Sequence, residues 1–176
     1  MERAMRGLAA ICFLWGMFAS GPAGAVTIAY QAVDLPDTAL GQDLWQYQYT
    51  VGGTFQQFAG FNVIFPSASY DGLDPAPASP NGDWQVQTIP VDQTLPADGI
   101  YSTTALVGSP ALANAFVIDF LWSGAGRPGP QSFEVVDQNF NVTTTGGTAP
   151  IPEPSTLLLL LAGGAGALVL RKRLRW

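Results

Sequence analysis

The segment from Val26 to Thr145 predicts an all-β fold, and three of its features agree on this. Apolar and polar residues alternate with a period of two in several short runs, as they do in strands that bury one face. Glycine and proline interrupt these runs at short intervals, which is typical of turns. No run keeps the spacing of an amphipathic helix over a useful length. The expected architecture is an antiparallel β-sandwich, Ig-like or jelly-roll-like.

Three runs show the strand pattern most clearly. LWQYQYTV, residues 44–51, has large apolar side chains at every second position and predicts a strand with one buried face. GFNVIFP, residues 60–66, repeats the alternation and ends at a proline. AFVIDFLWS, residues 115–123, is apolar on both faces except at Asp119, which predicts a central strand. The side chains expected in the core are Trp45, Tyr47, Tyr49, Val51, Phe61, Val63, Phe65, Phe116, Ile118, Phe120 and Trp122.

Five further runs predict strands with a less regular pattern. They are VTIAYQAV (26–33), DWQVQTI (83–89), IYSTTALV (100–107), SFEVVDQ (132–138) and FNVTTT (140–145). Two stretches have the composition of turns, VGGTF at 51–55 and DGLDPAPASPNGD at 71–83. Residues 146–151 are mostly small or proline and predict a linker, so the folded domain is expected to cover residues 26–145.

The first 25 residues have the layout of a secretory signal peptide. Arg3 and Arg6 form a basic start, an apolar run follows, and the small residues Ala23 and Ala25 provide a cleavage site after Ala25. The one cysteine of the chain also lies in this segment. The mature chain is therefore expected to begin at Val26 and to contain neither cysteine nor histidine.

Charge is distributed unevenly along the chain. All but two of the 13 acidic residues lie in the body, whereas six of the 7 basic residues lie near the two ends and only Arg127 lies between them. Such an acidic body repels phosphate backbones and anionic lipid headgroups. Nucleic acid is therefore not an expected partner.

The last 25 residues contain three segments in order. The first is a short motif made of Pro152, Glu153, Pro154, Ser155 and Thr156. The second is an apolar span over 156–170, which as a transmembrane helix would be about 22 Å long and would cross the hydrocarbon core only marginally. The third is a basic tail over 171–176. Its first three residues form the basic stop that follows the apolar span, and they are Arg171, Lys172 and Arg173. The positive-inside rule keeps this tail in the cytoplasm and the β domain outside.

This ending resembles the PEP-CTERM sorting signal of exported proteins in Gram-negative bacteria, and the resemblance covers residues 152–176. It implies recognition by an exosortase, an integral-membrane cysteine transpeptidase-like enzyme that cuts near the Pro-Glu-Pro motif. The implied partners are the secretion machinery, the exosortase and, transiently, the inner membrane, with the cell surface or extracellular space as destination. Such proteins accompany exopolysaccharide and biofilm formation, which makes exopolysaccharide a further candidate partner. A plain C-terminal membrane anchor is the alternative.

Catalytic chemistry is restricted by the residue inventory. Without histidine or mature cysteine, Ser-His-Asp and Cys-His catalysis and the usual zinc sites are excluded. Asp119 and Glu134 lie on predicted strands and are the best candidate pair for a carboxylate-based glycan hydrolase, although solvation at the surface explains both. Asp119, if buried, needs a partner, and Arg127 is a candidate.

Binding chemistry has two candidates. Asp71, Asp74 and Asp83 are weak candidates for calcium ligands, because their carboxylates and nearby carbonyls are hard oxygen donors, and no other cofactor is expected. Exposed Trp or Tyr side chains could stack on sugar rings. The sequence therefore predicts a surface or matrix protein with a non-catalytic structural or binding domain. A calcium-dependent or carbohydrate-binding adhesin is the alternative, and a hydrolase ranks third.

Overall fold

The computed structural model describes residues 25–151, and these form ten strands. Within this range no helix is long and apolar enough to cross a membrane. The predicted signal peptide, apart from its last residue, and the predicted sorting segment 152–176 lie outside the described residues. The strands are β1 (Thr27–Asp34), β2 (Leu44–Gly52), β3 (Gly60–Phe65), β4 (Tyr70–Asp71), β5 (Trp84–Ile89), β6 (Gly99–Ala105), β7 (Phe116–Trp122), β8 (Ser132–Val136), β9 (Val142–Gly147) and β10 (Ala149–Pro150).

The strands form two sheets of five. The first sheet has the order β10-β1-β2-β7-β4 and the second has the order β5-β6-β3-β8-β9. Neighbouring strands are antiparallel except at one edge, where β10 runs parallel to β1. The predicted all-β fold is confirmed, and each of the eight predicted runs contains a strand.

The core lies between the two sheets and is mainly aromatic. Rings from the first sheet contact rings from the second, with centroids 5.1 Å apart for Phe61 and Phe116 and 5.0 Å apart for Trp84 and Phe116. The side chains expected in the core are buried, except that Trp122 is only partly so. The alternating pattern in the sequence therefore identified the inward face of the three clearest strands.

A polar network inside the domain joins the first sheet to the segment that leads into β8. Tyr47 Oη donates to the carbonyl oxygen of Gly129 at 2.7 Å and lies 2.9 Å from Tyr70 Oη. Gln131 Nε2 donates to Tyr70 Oη at 2.8 Å, and Tyr49 Oη donates to Gln131 Oε1 at 3.3 Å. Burial raises the pKa of Tyr47 and Tyr49, so both hydroxyls stay protonated and act as donors.

The predicted linker at 146–151 is corrected by the structure, because most of it is strand. Strand β9 extends to Gly147, and β10 follows after one residue. Thr148 is buried, and its Oγ1 accepts a hydrogen bond from the backbone N–H of Gln131 at 2.9 Å. The N–H of Ile151 donates to the carbonyl oxygen of Tyr30 at 2.8 Å. Backbone hydrogen bonds and the Thr148 hydroxyl hold this segment in place. Its side chains are mostly small, so the sequence shows no alternation there that would predict a strand.

Candidate functional site

A cleft of about 430 Å³ lies on the outer face of the second sheet. This outer cleft is lined by Phe58, Gln85, Gln87, Thr104, Gln138 and Phe140. The two lining residues of β5 flank Val86, which packs against the core, and they point outward because successive side chains alternate between faces. Gln85 lies opposite Thr104 of β6 in the antiparallel register. The sheet therefore supplies a polar floor, and turns supply the two phenylalanines.

Phe58 is held by the turn that precedes β3. Its side chain is 51% exposed, and its φ of +64° is in the left-handed region that large side chains rarely adopt. Its N–H donates to the carbonyl oxygen of Ala105 at 2.7 Å, and the N–H of Ala105 donates back to Ala59 at 2.8 Å. Gln57 Nε2 also donates to the carbonyl oxygen of Leu106 at 2.9 Å. The end of β6 thus fixes the turn that exposes this ring.

Phe140 is held in the same way by the turn between β8 and β9. Its side chain is 74% exposed, and its φ is +62°. Its N–H donates to the carbonyl oxygen of Asp137 at 3.0 Å. Asp137 Oδ1 accepts from the backbone N–H groups of Asn139 at 2.8 Å and Asn141 at 2.9 Å, and Oδ2 accepts from Asn141 Nδ2 at 3.1 Å. One carboxylate therefore organises the turn that presents the second ring.

These contacts have an electrostatic consequence. The pKa of Asp137 is lowered because the backbone N–H of Asn141, followed by its side chain, favours the charged carboxylate. The pKa of Asp92 is lowered by hydrogen bonds from the backbone N–H of Leu95 and from the side chain and backbone N–H of Thr94. A carboxyl group whose pKa is lower in the folded state stabilises the fold above its unfolded-state pKa, and this contribution is lost as the pH falls through the folded-state value.

Asp137→Asn is therefore expected to lower the urea midpoint at pH 7 and to have a smaller effect at pH 2.5, where a larger share of the wild-type carboxyl is protonated. Asp34→Asn is the matched control, because it also removes one exposed negative charge, from the end of β1. Its effect on the urea midpoint shows how much is due to weaker repulsion among the acidic residues in general. Urea unfolding at both pH values measures the difference. An equal effect at pH 7 and pH 2.5 would contradict a role for the charge.

The candidate calcium ligands are not gathered into a site. Asp71 Oδ1 accepts from the N–H of Gly72 and Asp74 Oδ1 from the N–H of Ala76, so both are used in local turns. Asp83 Oδ2 accepts from a backbone N–H 28 residues further along the chain. No group of three or more Asp, Glu, His or Cys residues in 25–151 could hold a metal ion.

The two candidate carboxylates for hydrolysis also lie apart. Asp119 is on β7 and Glu134 on β8, in different sheets, and the buried neighbours of each show that both point away from the core. They therefore face opposite sides of the sandwich. Asp119 Oδ1 accepts from Gln46 Nε2 at 2.8 Å. Arg127 is not its partner, because the guanidinium donates to the carbonyl oxygen of Ala32 at 2.6 Å and lies 5.9 Å from the ring centroid of Trp45.

Most of the tyrosines and tryptophans that were candidates for stacking on sugar rings are not exposed. All five tyrosines are buried, as are Trp45 and Trp84, because these aromatics lie on the inward face of strands or next to it. Phe58 and Phe140 are the exposed rings among the described aromatic residues, and sequence analysis did not single them out. The available signal was a lone phenylalanine among polar turn residues, in TFQQFAG and DQNFN.

Comparisons with known proteins add a sorting motif. The model of a family described as the PEP-CTERM protein-sorting motif matches residues 150–173. No curated protein sequence matches the chain. A chain of a type I cohesin–dockerin complex from Clostridium thermocellum shares 14% identity over 71% of this chain and 99% of its own, with a TM-score of 0.34. A type II cohesin domain from the cellulosome of Acetivibrio cellulolyticus shares 13% over 71% and 92%, with a TM-score of 0.36.

The family match confirms the resemblance found in the sequence. It begins at Pro150, the last residue of β10, and extends through the Pro-Glu-Pro motif and the apolar span into the basic cluster. The chain therefore carries a PEP-CTERM protein-sorting motif directly after its β domain.

Proposed function

We propose that this protein is exported, processed by an exosortase and delivered to the cell surface or extracellular matrix, where its β domain has a non-catalytic binding or structural role. The observation that carries the proposal is the PEP-CTERM motif at residues 150–173. The proposed host is a Gram-negative bacterium. The proposed partners are its secretion machinery and its exosortase, with the inner membrane as a temporary site of attachment.

The order of the C-terminal segments supports this route. An apolar span over 156–170 followed by Arg171, Lys172 and Arg173 is suited to stop transfer across the inner membrane. The signal peptide proposed for residues 1–25 gives the same topology independently. The β domain is then outside the membrane, and the Pro-Glu-Pro motif is near the outer membrane–water interface.

The junction between domain and motif also fits a processing site. Strand β10 ends at Pro150, and Ile151 is still hydrogen-bonded to Tyr30. Pro152 follows at once in the sequence, and a Pro-x-Pro sequence such as residues 152–154 disfavours helix and favours an extended backbone. An extended backbone is the form that protease active sites bind. A processing enzyme would therefore act within a few residues of the folded domain.

A non-catalytic role is supported by the positions of the carboxylates. Hydrolysis of glycosidic bonds needs two carboxyl groups within about 5–10 Å of each other. The two strand carboxylates proposed for it, Asp119 and Glu134, project from opposite faces of the sandwich. Carbohydrate binding is the second candidate role, and it is favoured by the two exposed rings at the outer cleft.

The route is tested by the intact mass of the mature protein from cells with an active exosortase. The expected product begins at Val26 and ends near Pro152 to Pro154. Glu153→Ala, or neutral residues in place of the basic stop, should leave export intact while uncut protein accumulates in the membrane fraction. Deletion of the exosortase should have the same effect.

Glu134→Ala is the matched control, because it removes an acidic side chain from the outer face of β8 and leaves the motif intact. It should be processed like wild type. A mature protein that still ends in Trp176 would show that the segment is a plain anchor. A product that retains Met1 would contradict the signal peptide.

A further inference from the structure

We infer that the outer cleft binds an uncharged polysaccharide, with the rings of Phe58 and Phe140 stacked on sugar rings and the polar floor hydrogen-bonded to sugar hydroxyls. This inference deepens the proposed function, because an exported domain with such a site would attach to a glycan outside the cell. Its support comes from four observations on the cleft: its rings, its polar groups, its charge and its extent.

The rings are presented at an energetic cost. A large side chain in the left-handed region is strained by about 1–3 kcal/mol, and such strain is concentrated at functional sites. The described residues contain three non-glycine residues with positive φ, and two of them are Phe58 and Phe140. Both are exposed, and both line the same cleft. Folding alone would favour glycine or asparagine at these positions, so we assign the rings to ligand binding.

The remaining lining groups match sugar chemistry. Three glutamines and one threonine supply amide and hydroxyl groups that can each donate and accept hydrogen bonds. A sugar presents an apolar C–H face, which suits an aromatic ring, and a perimeter of hydroxyls, which suits amides. Protein-binding surfaces instead have an apolar core with a polar rim. Four polar residues of the six that line the cleft favour a carbohydrate over a protein partner.

Charge restricts the carbohydrate to an uncharged one. None of the six lining residues is charged. The body carries 11 acidic residues, and its one arginine, Arg127, is engaged with Ala32 and Trp45 in the first sheet. A uronic-acid or sulfated polymer would therefore be repelled by the domain and would find no cation in the cleft.

The polar surface continues beyond the cleft. In register across the second sheet, a row of outward residues runs through Gln87, Ser102, Asn62, Glu134 and Thr145. Five strands at the usual spacing make this row about 19 Å long. It begins at the cleft, since Gln87 belongs to both. This length suits a chain of several sugars rather than a monosaccharide.

Binding is tested with the full-length chain in a zwitterionic detergent, so the result does not depend on export or processing. The probes are microcrystalline cellulose, curdlan, starch, galactomannan and the neutral exopolysaccharide of the host, with alginate as the acidic comparison. We expect retention on at least one neutral polymer and none on alginate. Phe58→Ala and Phe140→Ala should each weaken binding roughly three- to tenfold. Gln85→Ala should also weaken it.

Two variants separate binding from folding. Leu95→Ala is the matched control, because Leu95 is apolar and 75% exposed but does not line the cleft, and its binding should equal wild type. Phe140→Gly should weaken binding as much as Phe140→Ala does, while its melting temperature stays equal or rises, because glycine adopts a positive φ without strain.

Three outcomes would overturn the inference. These are no retention on any neutral polymer, equal retention by wild type and both phenylalanine variants, and retention on alginate alone. A cleft that captures a host protein and no neutral glycan would reassign the site to protein binding. Each result is independent of the mass measurement on the C-terminus, so the site and the sorting route can fail separately.

Discussion

Tyr47→Ala is expected to destabilise the β domain by about 3–5 kcal/mol. Tyr47 is fully buried, and its ring lies 4.7 Å from that of Phe120 and 5.5 Å from that of Tyr49, measured between centroids. It also lies 6.2 Å from Phe65 in the opposite sheet. Truncation would leave a cavity among rings that cannot collapse around it, because they are fixed by strands on both sides. Domains of this size are stable by only about 5–15 kcal/mol, so the loss is severe.

Urea unfolding of residues 26–151, which contain both sheets and the core, measures this effect. With a slope near 1.5 kcal/mol/M, the midpoint should fall by roughly 2–3 M. Tyr47→Phe is the control, because it keeps the ring and removes the hydroxyl. It should cost about 1–3 kcal/mol, since the carbonyl of Gly129 and the hydroxyl of Tyr70 lose a buried partner. Equal effects of the two substitutions would show that the ring contributes little.

Gly60→Ala is expected to cost about 3 kcal/mol or more, at or above the upper end of the usual range for overpacking. Gly60 begins β3 in the middle of the second sheet and is paired with Thr104 on one side and Val136 on the other. A Cβ at this position would overlap the backbone carbonyl of Thr103. The Thr103 hydroxyl, buried and bonded to the backbone of Phe61, holds the two strands at this close approach.

No side-chain rotation relieves an overlap with backbone, so the paired strands would have to separate. Gly108→Ala is the matched control, because a Cβ there meets nothing within 4 Å and the backbone is not left-handed. The control should change the urea midpoint little. Soluble Gly60→Ala protein with a wild-type midpoint would show that β3 and β6 can move apart at no cost.

The strands of the sandwich could be predicted from the sequence because burial on one face imposes a period of two. That signal is strong in LWQYQYTV, where Trp45, Tyr47, Tyr49 and Val51 all face the core. It is absent from β4 and β10, which have two residues each and are held by backbone pairing. A two-residue strand has no period, and Pro150 argues against a strand by composition.

The outer cleft could not be predicted, for a different reason. Its six residues come from β5, β6 and two turns, and only strand order brings them together. The exposure of Phe58 and Phe140 depends on a left-handed backbone that composition does not reveal. The same limitation affects the acidic pair, because Asp119 and Glu134 lie on adjacent predicted strands of the sequence but in different sheets.

Strand β10 also shields part of one sheet edge from pairing with another copy of this protein. An uncovered edge strand offers unpaired N–H and C=O groups to any similar edge, which leads to aggregation or strand exchange. β10 covers β1 at Ala29 and Tyr30, and Ile151 adds one more hydrogen bond to that edge. A cut before Ala149 would uncover this part of the β1 edge, whereas a cut after Ile151 leaves it covered. These three residues therefore separate a product that stays dispersed from one that can pair edge to edge with its neighbours.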